Sequence, residues 1–135
     1  MSLFKVFSVS GSAVSAQTQR LNLVSSNLAN AESVAGPDGK PYKARQAVFQ
    51  TQMLDAEQSA AGVRVAQVIE DKAEARRIHN PDHPLADENG YVTMSNVNVV
   101  EEMVNMISAS RSYQTNIDVM NTAKNLLQKT LQLGS

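Results

Sequence analysis

We predict a mainly α-helical fold in which N- and C-terminal helices form an antiparallel coiled-coil layer, with a small β-rich segment between them. Apolar residues recur at heptad spacing at both ends of the chain, and charged residues are concentrated between the ends. Of the 25 charged residues (12 Lys or Arg and 13 Asp or Glu), 19 lie in residues 32–102. We therefore predict an N-terminal helix of the coiled-coil domain at 1–33, a β-rich middle at 34–95 and a C-terminal helix at 96–135.

The first helix is predicted from a heptad repeat of apolar side chains. One row of the repeat contains Phe7, Val14, Leu21 and Leu28. A second row contains Val24 and Ala31 and is weakened by Ser10 and Gln17. This spacing is typical of helices that pack along a shared seam. A cluster of turn-forming residues at 36–41 ends the helical region.

The middle segment is predicted to contain two or three short strands. Residues 47–53 alternate between two faces, and residues 62–69 are rich in β-branched side chains. Turn signals at 80–84 and 89–90 precede a further apolar stretch at 91–94. So few strands are only marginally stable alone, so we expect them to pack on the helices or on a neighbouring chain.

The second helix has the clearest periodicity. Apolar residues occur every three or four positions, at Val99, Met103, Met106, Tyr113, Ile117, Met120, Leu127 and Leu131. Ser110 and Lys124 interrupt the pattern. Asn98 followed by Glu101 resembles a capping box. We predict a helix from Asn98 to Leu131, about 50 Å long at 1.5 Å per residue.

The other faces of both helices carry Ser, Thr, Asn and Gln rather than Glu and Lys. Hydroxyl side chains compete for backbone hydrogen bonds, so they are poor choices for a solvated helix. Small polar residues on all sides therefore favour assembly with close neighbours. The alternative is an ordinary two-helix hairpin with a Ser- and Asn-rich surface, because helix propensity alone decides little.

Two charged residues stand apart in the second helix. Arg111 and Asp118 are isolated in an otherwise neutral stretch and are seven residues apart, which puts them on one side of the helix. They are either solvated surface charges or partners of a neighbouring subunit. The pattern favours neither, since exposed ion pairs contribute little.

No residue pattern in the chain predicts catalysis. His79 and His83 have the spacing of a helical metal site, but the prolines beside His83 rule out a regular helix. Residues 87–90 lack the spaced ligands and the closing Glu of a calcium loop. Gly11-Ser12 lacks the strand-turn-helix context of a nucleophile elbow. We therefore expect no enzyme activity, no metal, no cofactor and no small-molecule substrate.

Composition excludes two further classes of site. The net charge is -1, and Arg76-Arg77 is too short for a nucleic-acid patch, so we expect no nucleic-acid partner. The absence of Cys excludes disulfides and thiolate metal sites. Leu3–Val9 is interrupted by polar residues and lacks a basic region ahead of it, so it is a poor secretory signal.

Two stretches resemble the paired signatures of the flagellar rod and hook axial proteins. The first is Ser26-Asn27-Leu28-Ala29-Asn30-Ala31, preceded by Leu21-Asn22. The second extends over residues 98–116 and contains Glu101-Glu102-Met103-Val104-Asn105-Met106. The resemblance covers nearly the whole chain apart from residues 50–78. Ser95 departs from it, because Pro is expected before Asn96.

The resemblance is closest to a structural subunit of the bacterial flagellar proximal rod, as residues 36–42 and 80–92 indicate. It implies a drive shaft that carries torque from motor to hook, with the terminal helices in an inner coiled-coil layer. The implied partners are copies of itself, other rod proteins, the rod-to-ring adaptor and the membrane ring. The implied location is the periplasmic rod of the basal body. Export through the flagellar type III apparatus without a cleaved signal peptide agrees with the poor secretory signal.

We expect the assembly interface to be formed by the signatures and the heptad rows. Its predicted members are Val14, Leu21, Val24, Asn27, Leu28, Asn30, Met103, Met106, Ile107, Arg111, Tyr113, Asn116, Ile117, Met120, Leu127 and Leu131. A free-standing coiled-coil adaptor for another partner is the alternative function. It is disfavoured because such an adaptor has no need for the paired terminal motifs.

Overall fold

The computed structural model describes residues 2–134. Its elements in chain order are α1 (Leu3–Ala29), β1 (Arg45–Met53), β2 (Ala61–Glu70), β3 (Arg77–His79), β4 (Tyr91–Thr93) and α2 (Val99–Leu133). Two long terminal helices and a small β-rich middle are thereby confirmed. Within the described residues, neither helix is both long and apolar enough to cross a membrane.

Side-chain caps begin both helices. Ser2 Oγ accepts a hydrogen bond from Lys5 N at 3.2 Å, which satisfies one of the free N–H groups of the first turn. Asn98 Oδ1 accepts from Glu101 N, also at 3.2 Å. The predicted start of α2 at Asn98 is therefore confirmed, and the helix ends two residues beyond the predicted Leu131.

The strands form two separate antiparallel pairs. β1 pairs with β2 from Arg45↔Glu70 to Met53↔Ala61, with a β-bulge after Val48. The second pair, β3 with β4, has only three residues in each strand. The sequence did not reveal β3, because Arg77–His79 is too short and too polar to show an alternating pattern. β3 forms its main-chain hydrogen bonds with β4. The β4 residues were identified from the sequence as part of the apolar stretch at 91–94.

The two helices are antiparallel and pack along a seam of small and polar residues. In α2 the buried positions are Glu102, Ala109 and Ala123. The predicted seam row of Met103, Ile117 and Leu131 lies one residue further along. Small side chains allow the helix backbones to approach closely, and this rotates the larger apolar residues to the edges of the seam. The heptad row of Met103, Ile117 and Leu131 is therefore not the most buried row of α2, and its place in a coiled-coil interface stays a prediction.

The core is small and lies where α1 ends, β1 begins and α2 begins. Ala31, Ala44 and Val97 form its buried apolar cluster, with Tyr42 and Val99 packed against it. We call this region, residues 26–31, 42–45 and 94–102, the junction. Its largest fully buried side chains are polar, Asn27 and Ser95. Hydrogen bonds therefore define the junction as much as apolar burial does.

Candidate assembly interface

Asn27 lies at the centre of the junction with no exposed surface. Its Oδ1 accepts hydrogen bonds from Arg45 N at 2.9 Å and from the Tyr42 hydroxyl at 2.8 Å. Its Nδ2 donates to Arg45 O at 2.9 Å and to Glu102 Oε2 at 3.0 Å. The carboxamide thus pairs with the main chain of Arg45 as a neighbouring strand would. One side chain joins α1 to β1 and to α2.

The Glu102 carboxylate completes this network. It is buried, and a buried carboxylate needs hydrogen-bond partners because it has lost its hydration. Oε2 accepts from Asn27, and Oε1 accepts from Asn105 Nδ2 at 3.5 Å. Asn105 Oδ1 in turn accepts from Arg20 Nη2 at 3.5 Å. Arg20, Arg45 and Glu102 also line a cavity of about 380 Å³ between α1, β1 and α2.

Ser95 satisfies the carbonyl group that follows α1. Its hydroxyl donates to Ala31 O at 2.7 Å and accepts from Val97 N at 3.3 Å. Arg76 Nη2 donates to the same Ala31 oxygen at 3.0 Å. A proline at position 95, which the family resemblance leads one to expect, would have no hydroxyl to donate. The departure at Ser95 is therefore a buried structural contact in this chain.

Asn96 holds the middle segment to the junction. Its Oδ1 accepts from Ala44 N at 2.7 Å. Its Nδ2 donates to Asp71 O at 3.0 Å and to Ala73 O at 2.9 Å. This carboxamide therefore joins the residue before β1 to the segment after β2. Asn27 of α1 and Asn96, which precedes α2, therefore have the same role: each carboxamide binds main-chain groups of the middle segment.

The β1–β2 hairpin rests directly on α1. Ser12 Oγ donates to Val9 O at 2.7 Å and accepts from Val63 N at 3.0 Å. At the neighbouring Gly62, a Cβ atom would lie 2.6 Å from Ser12 Oγ. Only glycine permits this approach without displacement of the hairpin.

A charged cluster holds the turn of the hairpin to the start of α1. Lys5 Nζ lies 2.9 Å from Asp55 Oδ2 and donates to Ser59 Oγ at 2.5 Å. Ser59 also donates from both its hydroxyl and its amide to Asp55. Hydrogen bonds from Ser59 and Lys5 hold the pKa of Asp55 well below its usual value. The cluster fixes the hairpin along α1 rather than creating a reactive group.

Beyond the junction, large apolar side chains are exposed along α2. Val100, Met103, Val104 and Ile107 are 70%, 53%, 60% and 56% exposed. They lie within two helical turns, and we call them the ridge. Exposed contiguous apolar surface of this kind marks a site of interaction.

The opposite end of the helix pair has an apolar depression. A groove of about 370 Å³ is lined by Leu3, Phe4, Phe7, Ala123, Lys124 and Leu127. We call it the end groove. A second groove of about 460 Å³ lies on the other side of the seam, where Leu3, Val119 and Leu126 meet Asp118. Both grooves are lined mainly by apolar side chains.

The predicted interface residues fall into three groups by burial. Exposed are Met103, Ile107, Arg111 and Leu131. Partly buried are Val14, Leu21, Leu28, Asn30, Met106, Tyr113, Asn116, Ile117, Met120 and Leu127. Val24 and Asn27 are buried inside the chain. The structure therefore places Met103, Ile107 and Arg111 near one another on the surface of α2, leaves Leu131 at the far end of the helix, and assigns Asn27 to the junction.

Sequence reasoning missed several of the residues just described. Glu102 was not predicted as an interface or core residue, although it is buried one position before Met103. Val100 and Val104 lie outside the heptad rows, and for that reason they were not included. Phe4 was also overlooked. Val100, Val104 and Phe4 could have been recognised as apolar residues that lie outside the heptad rows and are therefore not expected to be buried in a seam.

The candidate metal ligands have other contacts. The His79 ring packs edge-on against Tyr91 with the ring centroids 4.9 Å apart. His83 Nδ1 accepts from Leu85 N at 3.0 Å. Across residues 2–134, no group of three or more His, Asp or Glu side chains is arranged to hold a metal ion. Asp87 binds Arg77 at 2.7 Å and accepts from the amides of Asn89 and Tyr91.

Arg111 and Asp118 do not pair with each other. Asp118 Oδ1 accepts from Gln114 Nε2 at 3.0 Å. Arg111 is exposed and lines a shallow groove with Val104 and Ile107 of the ridge. Its position beside the ridge is suited to a contact with another chain.

Comparison with known proteins identifies related sequences over the whole chain. Residues 7–37 match the family described as flagella basal body rod protein, and residues 88–133 match the C-terminal family of flagellar basal body rod FlgEFG proteins. The flagellar basal-body rod protein FlgC of Yersinia enterocolitica is 58% identical over 134 residues, with 99% of each chain covered. FlgC of Salmonella typhimurium is 56% identical over 134 residues, and FlgC of Escherichia coli O157:H7 is 56% identical over 136, with the same coverage.

Proposed function

The chain belongs to the FlgC family of flagellar basal-body rod proteins, and on that premise we propose that it is a subunit of the proximal rod that transmits torque from motor to hook. The family is structural and not enzymatic, and its place is the flagellar basal body. Assembly with other rod components follows from membership. The identity of 58% across 99% of both chains is the observation that carries the proposal.

The junction supports a role in torque transmission. A shaft must resist twisting, so the two helices of each subunit must not rotate or slide past each other. Hydrogen bonds from Asn27 to both β1 and Glu102 fix the relative rotation of the helices. Their geometry is more directional than that of apolar contacts. We infer that the junction fixes the register of each subunit within the shaft.

Coiled-coil packing between subunits is the second part of the proposal. Inside the chain the seam uses small and polar residues, whereas Met103, Ile107 and Leu131 are left on the surface. Knobs-into-holes packing needs such side chains between neighbouring helices. We propose that the predicted interface residues on the surface form this layer with adjacent subunits. Val24 and Asn27 act from within by holding α1 in position.

Export and location form the third part. We propose that the flagellar type III apparatus exports the chain unfolded and without a cleaved signal peptide into the periplasmic rod. There it contacts other rod proteins, the rod-to-ring adaptor and the membrane ring. Helices with exposed apolar rows gain much of their stability from neighbours, which suits a subunit that travels unfolded.

Deletion of residues 2–31 tests the function. It removes α1 and the part of the junction at 26–31, so we expect loss of swimming and of rod assembly in cells that depend on this chain. The control is the full chain expressed from the same promoter, which must restore both. Normal swimming with the deletion would contradict the proposal. Secretion of the full chain into the medium of hookless cells would separately test export.

Circular dichroism tests the dependence on neighbours. The helices contain 27 and 35 residues. We expect the isolated chain to show much less helix than these segments contain, because their ends lack packing partners. A fully helical chain with one cooperative melting transition would contradict this part of the proposal.

A further inference from the structure

The turn before β4 contains a chemically labile pair of residues. Asn89 is the only asparagine of the chain that is followed by glycine, and its side chain is exposed. The main-chain nitrogen that follows an asparagine can attack the carbon of the side-chain carboxamide. Glycine has no Cβ, so it leaves that nitrogen open to approach and lets the main chain rotate freely. Asn89 is therefore the asparagine of this chain that is most susceptible to deamidation.

The reaction is a substitution at the Asn89 carboxamide. The Gly90 nitrogen forms a bond to Asn89 Cγ, the bond from Cγ to Nδ2 breaks, and ammonia leaves with the proton that the Gly90 amide gives up. The product is a five-membered succinimide ring. Water then opens the ring at either carbonyl group and leaves aspartate or isoaspartate at position 89. Water is the only co-reactant, and nothing is oxidised or reduced.

The folded turn holds main-chain groups on both sides of the reacting atoms. Gly90 N donates a hydrogen bond to Asp87 O at 3.0 Å, and Asn80 N donates to Gly90 O at 2.8 Å. On the other side, Asn89 N donates to Asp87 Oδ1 at 2.9 Å. Ring closure requires the Gly90 amide to lose the proton that it donates to Asp87. The hydrogen bond between Gly90 and Asp87 must therefore break before the reaction can begin.

Gly90 is also enclosed by its neighbours. It is buried and has a φ of 82°, and a Cβ atom there would lie 3.0 Å from Pro81 Cγ and 3.1 Å from His79 Nε2. The next residue is held by Asp87, because Tyr91 N donates to Asp87 Oδ1 at 2.9 Å and Asp87 N donates to Tyr91 O at 2.8 Å. One carboxylate oxygen thus binds the amides before and after Gly90. The main chain at Gly90 cannot reorient without the loss of these contacts.

We propose that Asn89 is a deamidation site that reacts only when this turn is unfolded, and that Asp87 is the residue that protects it in the folded chain. The inference goes beyond the rod function and does not depend on it. Isoaspartate adds a methylene group to the main chain, so the hydrogen bonds of the turn cannot all re-form. Either product also places a new carboxylate beside Asp87 and Glu88, where like charges repel. A chain that has remained unfolded therefore carries a permanent modification just before β4.

Peptide mass spectrometry tests the site. The full chain is incubated at neutral pH in buffer and in concentrated urea, and the conversion of each asparagine to aspartate or isoaspartate is followed. We expect Asn89 to react at least about tenfold more slowly in buffer, because it must wait for local opening of the turn. Asn121, which is exposed on α2 and followed by threonine, is the internal control and should stay unmodified in both samples. Equal rates at Asn89 in buffer and urea, or faster reaction in urea at another asparagine, would overturn the proposal.

Substitution of Asp87 tests its protective role. Asp87→Ala removes the side-chain acceptor of two amides and should raise the rate at Asn89 in buffer severalfold. Asp87→Asn keeps an oxygen that can accept from both amides, so it should react nearly as slowly as the unmodified chain. Asp82→Ala, on an exposed acid of the same loop, is the matched control and should not change the rate. Asp87→Ala no faster than the unmodified chain, or Asp87→Asn as fast as Asp87→Ala, would refute the role of Asp87.

Hydrogen exchange of the Arg45 amide shows whether Asp87→Ala leaves the junction folded. If the junction is lost in that variant, the ratio of the rates in buffer and urea for Asp87→Asn decides: a ratio equal to that of the unmodified chain supports the proposal, and equal rates in the two solutions refute it. None of these measurements involves assembly. Their failure would leave the rod function standing, and loss of the rod function would leave them unchanged.

Discussion

The two ends of the helix pair bury different kinds of side chain. One end is the junction, and the other, which carries the end groove, is called the free end. At the junction the buried side chains of Asn27 and Ser95 are polar, and every polar atom of Asn27 has a partner. At the free end the side chains are apolar, and Phe4 and Leu131 are two-thirds exposed. The difference indicates that the junction determines the internal geometry of the subunit. We propose that the free end is stabilised by contacts with other chains.

The largest expected effect is at the centre of the junction. Asn27→Ala removes four hydrogen bonds and leaves Arg45 and Glu102 with unsatisfied buried groups. We expect the free energy of local opening to fall by about 3 kcal/mol, measured from hydrogen exchange of the Arg45 amide. Asn22→Ala removes an exposed amide from the same helix and is the control. Undiminished protection of Arg45 in Asn27→Ala would contradict the assignment of the junction as the more stable region.

The contact between the hairpin and α1 should show an intermediate effect. In Gly62→Ala the new methyl group would lie 2.6 Å from Ser12 Oγ, so the hairpin must move. We expect a loss of about 2 kcal/mol in the free energy of local opening of the hairpin, measured from hydrogen exchange of the Val63 amide. Adding Ser12→Ala should recover part of this loss.

Gly36→Ala provides the control for the hairpin substitution. There the added Cβ meets Asp38 Oδ1 at an ordinary 3.5 Å. An equal loss in Gly36→Ala and Gly62→Ala would show that close packing on α1 is not the cause.

A smaller and local effect is expected in acid. Since Ser59 and Lys5 lower the pKa of Asp55, its carboxylate favours the folded state at every pH above its unfolded pKa of about 3.9. That contribution is lost only as pH falls through the lower folded pKa. The Ser59 amide chemical shift should therefore remain native at pH 4 and change in stronger acid. Lys5→Met should move the change to higher pH, and a midpoint at the ordinary Asp value in the unmodified chain would refute this prediction.

The smallest effect on the isolated chain should come from the free end. Phe4→Ser changes a side chain that is 68% exposed, so its effect on the free energy of unfolding should stay within about 0.5 kcal/mol. The same change should strongly reduce rod assembly, scored by electron microscopy of basal bodies. A large loss of stability in the isolated chain would show that the free end is already packed without neighbours.

The sequence predicted the elements of this fold better than their orientation. Heptad spacing revealed both helices, because apolar periodicity persists whatever the partner is. It did not identify Glu102, Ala109 and Ala123 as the most buried positions of α2, because small and charged side chains do not contribute to an apolar heptad row. A heptad pattern indicates that a helix packs against other helices. It does not distinguish a helix of the same chain from a helix of a neighbouring chain.

The predicted interface residues differ in exposure, and the interface itself stays a prediction. Met103, Ile107 and Leu131 are on the surface as an interface requires, whereas Asn27 is enclosed. A polar residue in a signature gives no indication of whether it faces outward or inward. Three-dimensional placement was needed to find that the Asn27 amide completes the edge of a strand.

The junction also determines when the subunit can fold. Asn27 and Glu102 are separated by 75 residues, and Ser95 and Ala31 by 64. Contacts so distant in sequence form only after a long loop has closed, so nearly the whole chain must be present on the same side of any barrier. A chain threaded through a narrow conduit cannot meet that condition midway. If the chain is exported unfolded, as proposed above, the junction can therefore form only after nearly the whole chain has passed.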